Sequence, residues 1–116
     1  MAEQPLREPT LLLLTALADA PRHGYALMQE VEKISRGRVR MRAGTLYGAL
    51  DRLLKQGLVR VESEEIVDSR MRRTYALTDA GSVLLAAEAE RLRATADEAV
   101  RRLGVAHDGV QNQTRA

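Results

Sequence analysis

Cysteine, tryptophan and phenylalanine are all absent from this 116-residue chain, and its only aromatic residues are Tyr25, Tyr47 and Tyr75. Without cysteine there is no disulfide framework, no zinc ribbon and no thiol nucleophile, which fits a reducing, cytoplasmic setting and excludes a disulfide-stapled secreted scaffold. Long hydrophobic runs are missing too. The longest, Leu11 to Leu14, continues only to Pro21, far short of the roughly 20 residues that cross a bilayer. The opening MAEQPLREPT carries one Arg against two Glu and does not read as a signal peptide, so the expectation is a soluble, unprocessed protein.

What is present is aliphatic. Seventeen Leu and 17 Ala must build the core, which points to helices, and the length suits one domain that hides roughly 65% of its unfolded surface. The net charge of +2 is unevenly spread: residues 22–73 hold 12 basic and 7 acidic side chains, a net of +5, and the remainder holds 6 and 9, a net of −3. All the basic residues except Lys33 and Lys55 are arginine, whose planar fork suits phosphates and base edges.

Periodicity predicts a first helix capped by Thr10, with Leu11, Leu14, Leu17 and Ala18 on its apolar side, ending at Pro21. RHGYALMQEVEKIS predicts a second helix with Tyr25, Met28 and Val31 inward, joined by Leu27 or Ile34. RGRVRMRAG is a connector with Arg36, Arg38, Arg40 and Arg42 at alternate positions. A third helix, about Gly44 to Gln56, collects Leu46, Leu50, Leu53 and Leu54 on one side and Gly44, Gly48, Asp51, Arg52 and Lys55 on the other, with Gly57 as its stop. Two strands, about Leu58 to Glu64 and Arg73 to Leu77, flank a polar, flexible loop. Thr78 caps a last helix in which Leu85, Ala89, Leu92, Ala96, Ala99 and Leu103 form a heptad seam closed by Gly104.

This order, mainly α with a small β-hairpin, is that of a winged helix-turn-helix followed by a C-terminal dimerisation helix. It divides the chain into a flexible N-terminus (1–9), a DNA-binding domain (10–78), a dimerisation helix (79–103) and a disordered tail (104–116). HGYALMQEVEKIS, GTLYGALDRLLKQGLV and RRTYALTDAG together resemble the PadR family of bacterial transcriptional regulators, in its short form with a single C-terminal helix. The resemblance spans about Thr10 to Leu103. It implies a homodimeric repressor that sits on a pseudo-palindromic operator in double-stranded DNA and often leaves it when a small-molecule effector or another signal arrives. The family commonly carries proline where this chain has Gly48.

The residues support the same reading physically. Gly44 and Gly48 let the third helix approach a groove or phosphate closely, and the hydroxyls of Thr45 and Tyr47 suit phosphate oxygens. Arg52 is placed to reach a base edge and Lys55 a phosphate. Arg42, beside the helix N-terminus, is the favoured contact of the connector, whose remaining arginines also read as ordinary solvated charge. Arg70, Arg72 and Arg73 form a basic wing cluster, with Glu62, Glu64, Glu65 and Asp68 held away from DNA. Tyr25 and Tyr75 read as packing aromatics wedged between the second helix and the hairpin. The heptad seam reads as the surface between two copies rather than a seam against its own domain.

His23 reads as a helix cap, and with His107 far along the chain no metal site is expected. Lone Ser and Thr residues lack a base and an orienting acid, so the chain reads as a non-enzyme without a cofactor. The missing indole and phenyl rings argue against a large multidrug cavity between dimer arms, although the three Tyr and four Met can line a smaller pocket. The competing reading is a winged-helix module that binds a protein partner and no DNA, kept open by the acidic first strand of the hairpin and by Asp51.

Overall fold

The computed structural model describes residues 5–104. Its elements are α1 (Glu8–Ala16), β1 (Arg22–His23), α2 (Gly24–Ile34), α3 (Ala43–Lys55), β2 (Val59–Val67), β3 (Arg70–Leu77) and α4 (Asp79–Leu103). The three strands form one antiparallel sheet in the order β1-β3-β2. The chain divides into two compact units, Met1–Leu85 and Ala86–Ala116. Most of the predicted tail and His107 lie outside the described residues, as do residues 1–4 of the predicted flexible N-terminus.

In the first unit the core is leucine: Leu13, Leu14, Leu27, Leu46, Leu50 and Val31 are fully buried. Helix α1 begins at Glu8, two residues before the expected Thr10 cap. Pro9 lies in its first turn, where a missing N–H is no loss, and Leu11 N donates to Arg7 O at 2.9 Å. It ends at Ala16, well short of Pro21, because Arg22 Nε reaches back to the Ala16 carbonyl at 2.8 Å. Leu12, Leu13 and Leu14 are all buried, so α1 is enclosed nearly all round and Ala18, expected inside, is exposed.

His23 caps helix α2, its Nδ1 accepting from Ala26 N at 3.4 Å, the capping role expected of it. It ends in a Schellman turn: Gly37 N donates to Glu32 O at 2.8 Å and Arg36 N to Lys33 O at 3.1 Å, with Arg36 itself in the left-handed region at φ 57°. Buried Ser35 then holds the connector, its Oγ accepting from Val39 N at 3.0 Å. Helix α3 ends the same way, with Leu58 N to Leu53 O at 3.0 Å and Gly57 at φ 75°. Thr78 caps α4 as expected, accepting from Gly81 N at 3.0 Å and donating to Gly57 O at 2.6 Å.

The hairpin is longer than its sequence suggests. β2 and β3 pair from Val59↔Leu77 to Val67↔Arg70, with a bulge between Val61 and Ser63. The expected flexible loop shrinks to Asp68 and Ser69, both at positive φ (53° and 66°), as a twist-matched two-residue hairpin turn requires. The alternation that marks a strand needs one buried face, and beyond Val61 this ribbon is mostly solvated on both.

In the second unit α4 continues as an amphipathic helix tied along its surface by Arg91–Glu88 at 2.5 Å and Arg102–Glu98 at 2.5 Å. Hydrogen bonds from Arg102 and Arg101 hold the Glu98 carboxyl below its ordinary value.

Candidate nucleic-acid interface

Helix α3 sorts its residues by face. Leu46, Ala49, Leu50 and Leu53 are buried, and opposite them Gly44, Thr45, Asp51, Arg52 and Lys55 are exposed. Gly44, Gly48 and Arg52 stand four residues apart and form one strip along the outer surface. Neither glycine is needed by the fold. A Cβ on Gly44 would meet nothing within 4 Å, and one on Gly48 would meet only the Arg52 guanidinium, at 3.9 Å. The helix runs through Gly48 without interruption, so glycine in place of the family's usual proline leaves it intact.

Tyr47 sits at the edge of this surface and is 44% exposed. Its ring lies against Gly24 at the start of α2. Tyr25 and Tyr75 were both expected to pack inside, but only Tyr75 does so, at 4% exposure, while Tyr25 is 63% exposed. Position explains the difference. Tyr75 lies on central β3, paired on both sides, whereas Tyr25 is in the first turn of α2, where Leu27 and Val31 take the inward positions. Burial pushes the Tyr75 phenol above its ordinary pKa, partly opposed by a hydrogen bond from Arg73.

All three tyrosines line one groove of about 500 Å³, with His23, Gly24, Val67, Met71 and the wing arginines. Of the three Tyr and four Met expected to be able to line a smaller pocket, this groove takes in all three Tyr but, of the methionines, Met71 alone.

The basic surface is more finely divided than the sequence suggests. Across the hairpin Arg73 faces Glu64 and Arg72 faces Glu65. Arg73 Nε donates to Glu64 Oε2 at 2.8 Å and Arg72 Nη2 to Glu65 Oε2 at 3.2 Å. The glutamates, expected to be held away from DNA, thus hold two members of the arginine cluster, because antiparallel register places each pair side by side. The Glu64 carboxylate accordingly raises the Arg73 pKa. Arg70 faces Val67 instead. In the connector Arg38 pairs with Glu8, and Arg40 with Glu32 at 3.2 Å. Of the cations expected to contact DNA, Arg42, Arg52, Lys55 and Arg70 have no acidic partner among the described residues, and neither does Arg36 of the connector. Sequence reasoning missed this division, since register and tertiary proximity decide it.

The expected seam of α4 is partly internal. Leu85 packs against the core of the first unit. Ala89, Leu92, Ala96, Ala99 and Leu103 are exposed, Leu103 by 75%. No helix among the described residues is long and apolar enough to cross a membrane.

Known proteins match this arrangement. "Transcriptional regulator Rv3488" of Mycobacterium tuberculosis is 40% identical over 88 residues, covering 76% of this chain and 78% of that protein. An uncharacterised 37.1 kDa protein in transposon TN4556 of Streptomyces fradiae is 43% identical over 82 residues, 71% of this chain, although the match spans only 22% of its own length. Among solved structures, Bacillus subtilis PadR in complex with operator DNA superposes with a TM-score of 0.61 at 15% identity, covering 95% of this chain and 55% of that one, which supports the winged-helix fold. The profile of the transcriptional regulator PadR-like family matches residues 13–87, taking in α2, α3 and the whole wing. The chain therefore belongs to the PadR-like family of transcriptional regulators.

Proposed function

We propose that this protein is a sequence-specific DNA-binding regulator, a homodimeric repressor that lays α3 in the major groove and its wing alongside. The observation that carries the reading is the Gly44–Gly48–Arg52 strip. Glycine inside a helix costs roughly 1 kcal/mol relative to alanine, and nothing within the fold uses the space. A surface that must approach a DNA backbone or base edge closely does use it. The unpartnered Arg42, Arg52, Lys55 and Arg70 supply the positive charge, and Thr45 and Tyr47 supply hydroxyls for phosphate oxygens. The structural likeness to a PadR bound to operator DNA supports the same docking.

Dimerisation is assigned to α4, where Ala89, Leu92, Ala96, Ala99 and Leu103 offer a self-complementary seam of small and medium side chains. Two such copies read a pseudo-palindromic operator with half-sites about one helical turn, or a multiple, apart. A small-molecule effector that filled the tyrosine-lined groove would cover Tyr47 and the wing arginines, and so release the DNA. A regulator acting on a promoter in this way would do so in the cytoplasm.

The test is a gel shift against the DNA upstream of the protein's own gene at moderate salt. A complex that survives competition by random DNA is expected. No sequence preference at any salt would overturn the reading, and salt-insensitive binding to a protein partner in its place would favour an interaction module.

A further inference from the structure

Resting on that reading, we propose that Glu64 and Glu65 are positioning residues of the wing. They act as internal stand-ins for DNA phosphate, so that Arg73 and Arg72 reach DNA only by exchanging a glutamate for a phosphate. The β2–β3 ribbon is neutralised on both of its faces. Adjacent strand residues point to opposite sides, so the Glu64–Arg73 pair at 2.8 Å lies on one face and the Glu65–Arg72 pair at 3.2 Å on the other. A third pair, Arg60–Glu62 at 2.9 Å, lies within β2 itself. Among the described arginines of the wing, Arg70, beside the Asp68–Ser69 turn and opposite Val67, is the one without an ion pair.

The exchange has the energetics of a tunable contact. In both pairs the side chains are between 44% and 56% exposed, so water screens them. An exposed pair is worth no more than about fivefold in an equilibrium constant. A phosphate in the dense charge of a duplex outcompetes such a partner, while the glutamates still subtract from DNA affinity. They also mute its salt dependence: each carboxylate released into solution regains part of a counterion as the arginine displaces one from DNA. The free cations of α3 then bind first, and the wing closes with little net gain, which keeps the complex readily dissociable.

Fluorescence anisotropy on a random-sequence duplex between about 50 and 200 mM salt separates the terms, using wild type, Glu64→Gln with Glu65→Gln, Arg72→Ala with Arg73→Ala, and the quadruple variant. All four positions are exposed, and far-UV circular dichroism checks that each variant folds. The glutamine pair is expected to bind about 3- to 25-fold tighter, up to about fivefold for each pair removed. The slope of log affinity against log salt is expected to steepen by up to about two. Both gains should vanish once the arginines are alanine. A gain that persists without the arginines would show a bulk charge effect and overturn the proposal, as would an unchanged slope and affinity. DNA binding in wild type with no response to the glutamates defeats this inference alone. Absence of binding in every variant defeats the DNA reading beneath it as well.

Discussion

Gly24, the first residue of α2, lies directly under the phenol of Tyr47 on α3: a methyl group built on it would stand 2.1 Å from the Tyr47 Oη and 2.7 Å from Cζ. This contact fixes where the Tyr47 hydroxyl sits, beside the N-terminus of α2 and at the rim of the groove. Gly24→Ala should therefore swing the ring outward. Because the displaced atoms are the far end of a half-exposed side chain, stability should change by no more than about 1 kcal/mol. Affinity for DNA should fall roughly tenfold, the worth of one hydrogen bond to a charged phosphate. Thermal melts alongside anisotropy titrations check both, and unchanged affinity would show that the ring's position is immaterial to DNA.

Gly48→Ala separates folding from function. Its Cβ would meet only Arg52, at an ordinary 3.9 Å, so the helix should gain about 0.5–1 kcal/mol. DNA binding should weaken at the same time, because the methyl fills the space through which α3 approaches. Denaturant titration with a gel shift on the same preparation tests the pairing. A stabilised variant that binds as well as wild type would remove the reason for glycine on the outer face.

Gly81 makes the opposite case. A Cβ there would stand 2.1 Å from the Leu58 carbonyl oxygen, a backbone atom that cannot swing aside. Gly81→Ala should destabilise the first unit by about 3 kcal/mol, read as a drop in the denaturation midpoint. A loss under about 1 kcal/mol would mean that α4 pulls away from the end of α3 at little cost.

Leu92 is 39% exposed on α4, so Leu92→Asp should leave helix content intact while light scattering reports half the wild-type mass. A dimer that survives the substitution would place the seam elsewhere on the chain.

What was legible in the sequence follows from how local each signal is. The ends of α3 and α4 were readable because Gly57 and Thr78 act within one turn of their own positions. The buried side of α3 was readable because Leu46, Leu50 and Leu53 share one face of a solvent-facing helix. Helix α1 is enclosed on most sides, so its leucines carry no phase, and its limits are set instead by Pro9 and by Arg22 reaching back to Ala16. The two-residue β1 has no periodicity to read and exists only because Arg22 and His23 pair with Tyr75 and Thr74. For the site, the choice of residue types on α3 was visible, but the neutralisation of Arg72 and Arg73 was not. It depends on a hairpin register that brings residues seven and nine apart in sequence into contact.

If the outer strip of α3 reads DNA sequence, Arg52 is the side chain that discriminates an operator from unrelated DNA. Anisotropy titrations at one fixed salt compare wild type and Arg52→Ala on the protein's own operator, mapped by footprinting, and on a shuffled duplex of equal length. The expected result is a loss of about 1–3 kcal/mol on the operator, with a much smaller loss on the shuffled sequence. Equal losses on both duplexes would show Arg52 to be a phosphate contact and leave α3 without its reader.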